Sequence, residues 1–262
     1  MKLIFATALL AFAGCTSADK TENASMPGAY KMLSQSVKGG KVDTTYTNLQ
    51  QLKMYSDDYM MYANFNPADS VSGFGIGSYS VTKDTVTESV VYNANDTSKS
   101  DAPGSFKLAI TKTAKGYKQL IPEIQMQSGD KLALTEDYET AGTATKSPLD
   151  GAWKQTKGYS IKGKDTTAGI NTQFKMYAAG YFIFGHTYSD STKKNHTGMG
   201  YGKFVMTGTN KSKESVLVST YYQVRGQEFD LDIEMNGSDE YKQTITDKDG
   251  SKGIEIYQRM KK

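Results

Sequence analysis

The sequence predicts an all-β protein made of two tandem copies of one antiparallel up-and-down barrel, each of about eight strands. Three observations carry this expectation. The composition favours strands, with 18 Tyr, 25 Gly, frequent Thr and Val, and only 5 Pro in 262 residues. The chain repeats itself at a spacing of a little over 120 residues. Each copy also divides into short strand-like runs separated by turn-forming groups.

The repeat is read from six matched blocks. Gly28-Ala29-Tyr30-Lys31 pairs with Gly151-Ala152-Trp153-Lys154, and Lys53-Met54-Tyr55, followed by Tyr59, pairs with Lys175-Met176-Tyr177 and Tyr181. Gly73-Phe74-Gly75-Ile76-Gly77 pairs with Gly198-Met199-Gly200-Tyr201-Gly202, and Glu88-Ser89-Val90 with Glu214-Ser215-Val216. Phe106, Leu108 and Ile110 pair with Phe229, Leu231 and Ile233, and Tyr117-Lys118-Gln119 with Tyr241-Lys242-Gln243. All offsets fall between 122 and 126, so small loop insertions account for the drift. The expected domains are residues 27–142 and 149–262, each large enough for one core.

The expected strands lie near 28–37, 46–55, 58–66, 73–81, 85–93, 105–112, 116–122 and 130–139 in the first copy. In the second they lie near 151–161, 169–177, 180–188, 199–207, 214–222, 227–235, 240–246 and 252–259. Breaks such as Asn66-Pro67-Ala68-Asp69 and Asn236-Gly237-Ser238-Asp239 separate them. Alternation is plain in the run where Phe229, Leu231, Ile233 and Met235 share one face and Asp230, Asp232 and Glu234 the other. Eight such strands joined by hairpins can close into a barrel, which removes exposed edges. At that size the interior is filled by side chains or holds one small ligand.

The N-terminus adds a location. Met1-Lys2 is followed by about a dozen apolar or small residues ending in Gly14-Cys15, the layout of a signal peptide over residues 1–14. Phe12-Ala13-Gly14-Cys15 resembles the lipobox of bacterial lipoproteins, which implies that Cys15 becomes the lipidated first residue of the mature chain. Residues 15–26 are polar and small and are expected to form a flexible tether. Cys15 is the one cysteine, so an intrachain disulfide is impossible. Stable anchoring takes more than one acyl chain, and lipoprotein maturation attaches two or three. The resemblance implies a bacterial cell-envelope protein held by its N-terminal lipid. Thr16, rather than an Asp, after Cys15 points to the outer membrane. Formal net charge is +3, falling to +2 without residues 1–14, which hold one Lys and no acid. Basic residues are scattered, so no nucleic-acid partner is expected.

A family resemblance follows from these residues. Gly151-Ala152-Trp153-Lys154, with Tyr30 in place of Trp in the first copy, resembles the opening of lipocalin-like (calycin-type) domains. The blocks Lys53-Met54-Tyr55, Tyr59-Met60-Met61-Tyr62 and Gly73–Tyr79 are similar to lipocalin-like domains of unknown function in Bacteroidetes envelope lipoproteins, as is the closing Glu255-x-Tyr257-x-Arg259. The resemblance spans nearly all the mature chain and implies the fold without an activity.

Little chemistry is on offer. The Gly-x-Gly-x-Gly blocks are followed by strand-like residues rather than the helix that a dinucleotide site needs, so they are read as glycines relieving crowding on curved strands. The two histidines, His186 and His196, both fall in the second copy, and no nucleophile elbow surrounds any serine. Asp57-Asp58 reads as a turn, and Asp230, Asp232 and Glu234 as a solvent face. Triplets such as Asp43-Thr44-Thr45 and Asp165-Thr166-Thr167 resemble O-glycosylation acceptor sites of Bacteroidetes. No enzyme, metal or cofactor is expected. What remains is a cavity lined by inward aromatic residues, and the candidates are Tyr62, Tyr79 and Tyr92 in the first barrel and Trp153, Phe184, His186, Tyr201 and Tyr222 in the second. The leading expectation is a non-catalytic module that holds a small apolar or amphipathic ligand in one or both barrels. The alternative is a structural protein whose solid barrels dock an envelope protein or polysaccharide. A dry, side-chain-filled interior in both barrels would sink the leading expectation.

Overall fold

In the computed structural model, the described residues are 26–68, 70–95, 98–100, 104–125, 129–142, 146–169 and 173–262. The signal peptide, Cys15 and the tether through residue 25 lie outside the described residues.

Two closed eight-stranded antiparallel barrels follow one another. The first contains β1 (Gly28–Gly39), β3 (Gln50–Tyr55), β4 (Tyr59–Phe65), β5 (Ser72–Thr82), β6 (Thr85–Asn95), β8 (Gly104–Lys112), β9 (Gly116–Gln125) and β10 (Lys131–Gly142), with β10 pairing back onto β1. The second contains β11 (Gly151–Lys162), β13 (Phe174–Ala178), β14 (Tyr181–Ser189), β15 (Asn195–Gly208), β16 (Lys211–Ser219), β17 (Glu228–Asn236), β18 (Glu240–Thr246) and β19 (Lys252–Arg259), with β19 closing onto β11. Each expected run overlaps one barrel strand, the run 169–177 lying partly outside the described residues. No α-helix occurs among the described residues.

Three short strands were not anticipated. β2 (Val42–Tyr46) folds back on the far half of β1, whose near half pairs with β3. β12 (Asp165–Ala168) does the same on β11. These hairpins cover the stretch of first strand that runs past its barrel neighbour, which would otherwise be a free edge. They also carry the exposed triplets Asp43-Thr44-Thr45 and Asp165-Thr166-Thr167. β7 (Ser98–Ser100) pairs with the end of β6. The run expected to reach Tyr222 stops at Ser219 and gives way to a 3-10 turn at Tyr222–Val224.

The residue two places before each first strand is packed into that barrel's core. Met26 is buried in the first core, and Tyr30 Oη donates to its carbonyl at 3.5 Å. Leu149 is buried in the second, and Trp153 Nε1 donates to its carbonyl at 2.7 Å. Met26, expected as the end of the tether, is therefore part of the first barrel.

The glycine blocks explain the strand curvature. A Cβ at Gly75 would strike the Tyr62 ring at 2.5 Å, and one at Gly200 the Phe184 ring at 2.7 Å. Gly77 and Gly202 sit at bulges, where a Cβ would run into the carbonyls of Ser89 and Ser215.

The barrels meet through equivalent faces. Leu52 and Met54 of β3, Met61 of β4 and Phe74 and Ile76 of β5 form one continuous core with Phe174 and Met176 of β13, Ile183 of β14 and Met199 and Tyr201 of β15. β3, β4 and β13 are buried on both faces. At this seam Phe74 stacks on Tyr92 with ring centroids 5.6 Å apart, and Tyr92 lies 5.2 Å from Phe174.

Candidate functional site

The matched blocks converge inside the barrels. In the first lumen the Lys53 ammonium lies 2.7 Å from Glu88 and donates to Gln119 at 3.3 Å, while Tyr55 Oη donates to Glu88 at 2.6 Å. Gln119 Nε2 donates to Glu136, which also accepts from Gln35 at 2.8 Å and from Tyr138 Oη at 2.9 Å. In the second lumen Lys175 lies 2.8 Å from Glu214 and donates to Gln243 at 3.1 Å, and Tyr177 Oη donates to Glu214 at 2.7 Å. Gln243 Nε2 and Tyr257 Oη then donate to Glu255 at 2.6 and 2.7 Å. The two networks correspond residue for residue: Lys, Tyr, Glu, Gln, and a second Glu-x-Tyr on the last strand. A buried ion pair persists only where further hydrogen bonds satisfy its remaining atoms, and these networks supply them.

Burial sets the protonation of the surrounding groups. It pushes the phenols of Tyr55, Tyr117 and Tyr138, and of Tyr177, Tyr241 and Tyr257, well above their ordinary range, so all remain protonated. Burial likewise raises the Glu255 carboxyl above its ordinary value. Tyr117 Oη and Tyr241 Oη, at equivalent places, are buried without a hydrogen-bond partner of ordinary geometry among the described residues.

The expected cavity residues divide into three groups. Tyr62, Tyr79, Trp153, Phe184 and His186 point into the lumens, where they are packing. Burial raises Tyr62 to about 12, and Tyr79 Oη donates to the Ser56 carbonyl at 2.7 Å. Tyr92 and Tyr201 are corrections: they lie outside the barrels, in the seam, with Tyr92 Oη 2.7 Å from Thr187 Oγ1. Tyr222 is also a correction. It stands on the 3-10 turn, 61% exposed, with its ring 4.1 Å from the Arg225 guanidinium.

His186 extends the second network. It is 2% exposed, with Nδ1 3.0 Å from Gln173 Oε1 and Nε2 2.7 Å from Tyr221 Oη. Gln173 Nε2 donates to Tyr257 Oη at 2.5 Å. With the Gln173 oxygen turned to Nδ1, that nitrogen carries the proton and Nε2 accepts from Tyr221. Burial pushes the imidazole down to about 4, so it is neutral at physiological pH.

Open space lies outside the lumens. A cleft of about 650 Å³ runs along the seam, lined among others by Tyr30, Asp58, Tyr59, Lys146, Arg259 and Met260. Its floor is fixed: Arg259 donates to the carbonyls of Asp150 and Ser238 at 2.6 Å each, and its guanidinium lies 4.0 Å from the Trp153 ring. Tyr59 Oη donates to the Lys261 carbonyl at 2.7 Å, tying the chain's end to the first barrel. Sequence reasoning missed this cleft because its walls come from the β1 and β11 starts, the linker and the last residues, which only the packing of one barrel against the other brings together.

Fold and interior together define a tandem closed-barrel protein with polar-centred lumens. No family model matches the sequence, and no curated protein matches it by sequence. Among solved structures, the chain is similar to a protein of unknown function from the DUF3598 family of Nostoc punctiforme, with 10% identity and a TM-score of 0.27, over 89% of this chain and 96% of that one. A likeness at that level carries no functional information.

Proposed function

We propose that this chain is a non-catalytic, lipid-anchored envelope protein that binds a small amphipathic ligand in the seam cleft rather than in either lumen. The observation that carries this reading is where the side chains are. Trp153, Tyr177, Tyr241 and Tyr257 fill the second lumen and Tyr55, Tyr117 and Tyr138 the first, while the cleft of about 650 Å³ stays open. The cleft mixes rings and Met260 with charges of both signs from Asp57, Asp58, Lys146 and Arg259, which suits a ligand with an apolar body and a polar end. It opens beside Pro27, where the tether arrives, so a ligand taken from the anchoring membrane has a short path.

Native mass spectrometry of protein purified gently from its own membrane tests this. The expected result is a co-purified small molecule in the wild type and its loss in Lys146→Trp, which fills the cleft from an exposed position. A ligand retained unchanged in Lys146→Trp contradicts the assignment. The solid lumens also favour a structural role with outer faces docking a partner. That reading gains if no small molecule accompanies either protein.

A further inference from the structure

A second cleft, of about 310 Å³, lies at another point on the barrel–barrel junction. Tyr188 from the end of β14 and Tyr222 from the 3-10 turn line it, 43% and 61% exposed. Single exposed rings are ordinary on a surface, but here two share one small cleft. Both rings are held in place. Tyr188 stacks on His196 with centroids 5.3 Å apart, and His196 Nε2 is fixed by Asp190 at 2.8 Å. Tyr222 lies on Arg225, whose guanidinium sits 4.5 Å from the Phe65 ring on its other side.

The polar groups are also arranged for a ligand. Thr197 lines the cleft and is buried, and its Oγ1 has no hydrogen-bond partner among the described residues. Buried polar atoms without partners cost stability unless something completes them. Lys194 lines the cleft too, and its ammonium forms no salt bridge among the described residues. Aromatic faces accept the apolar C–H face of a sugar ring, hydroxyl walls exchange hydrogen bonds with its hydroxyls, and an unneutralised ammonium takes an anionic group.

We propose that this cleft binds an acidic saccharide, with a sugar ring against Tyr188 or Tyr222 and its carboxylate toward Lys194. The site is separate from the seam cleft and does not depend on what that cleft binds.

Calorimetric titration of the full-length protein in detergent with tri-galacturonate and with maltotriose is the test. Tri-galacturonate is expected to bind, at least tenfold more weakly in Tyr188→Ala, Tyr222→Ala and Lys194→Ala, and equally well in Lys146→Trp. All three residues are at the surface, so thermal melts of these variants should match the wild type. No binding of the acidic sugar overturns the proposal. So does maltotriose binding with equal affinity, or affinity that all three substitutions leave unchanged.

Discussion

Lys53 and Glu88 are both buried and meet only each other and neutral partners, so each depends on the other's charge. Removing one partner of such a pair costs about 3–5 kcal/mol, whereas replacing both by apolar groups is often close to neutral. Glu88→Leu is therefore expected to lower unfolding free energy by about that amount in urea melts. The double variant Lys53→Met/Glu88→Leu should recover most of it. His186 gives a pH signature. Its folded-state value of about 4 lies below the unfolded 6.5, so the unfolded chain binds the extra proton. Its contribution is complete above pH 6.5 and is lost as pH falls toward 4, on the order of 3 kcal/mol over the full span. The position equivalent to His186 in the first barrel is occupied by Asn64, paired across from Gln51. His186→Asn should flatten the decline between pH 6.5 and 4; an unchanged pH dependence would show that other groups cause it. At this scale the sequence was informative in an unexpected way. The matched Lys, Tyr, Glu and Gln were visible as repeats, but nothing in the linear pattern showed that they face one another. A lysine in a half-apolar strand reads equally as a solvent residue.

At the scale of the element, strand positions were legible because turn residues and alternation mark them. Facing was less so. In β3, β4, β13 and β14 both faces are buried, one by a lumen and one by the other barrel, so period-two alternation vanishes. Tyr201 lies in a stretch of β15 that is likewise buried on both faces, and at Tyr92 the register shift opposite Ile76 and Gly77 reverses the face that β6 turns to the lumen, so both were expected inside and lie in the seam. The short β2 and β12 went unseen because their polar, Thr-rich residues look like turns and find their role only in covering the first strand. The glycine blocks, by contrast, act as the sequence implied. Gly202→Ala is expected to destabilise by about 1–3 kcal/mol, because its Cβ meets the Ser215 backbone, which cannot rotate away. Gly253→Ala, where the space is open, serves as the comparison and should change the melting temperature little. Equal effects of the two would remove the bulge as the reason for Gly202.

At the scale of the molecule, the repeat explains the assembly. Leu52, Met54, Met61, Phe74 and Ile76 correspond by position to Phe174, Met176, Ile183, Met199 and Tyr201, so each barrel presents the same patch to the other, as in a twofold dimer. The seam is as dry as a core, and the barrels are expected to unfold together in one calorimetric transition. Phe74→Ala should cost about 3–5 kcal/mol and split that transition in two; a variant that still melts in one step would mean that the coupling does not depend on Phe74. This joining is also what creates the clefts on which the functional reading rests. The most direct measurement of that reading is a crystal structure of the protein purified gently from its native membrane. The account predicts electron density for a bound molecule in the seam cleft beside Tyr59 and Met260, with both lumens filled only by side chains and water. Continuous ligand density inside either barrel, displacing Tyr62 or Phe184, would contradict it.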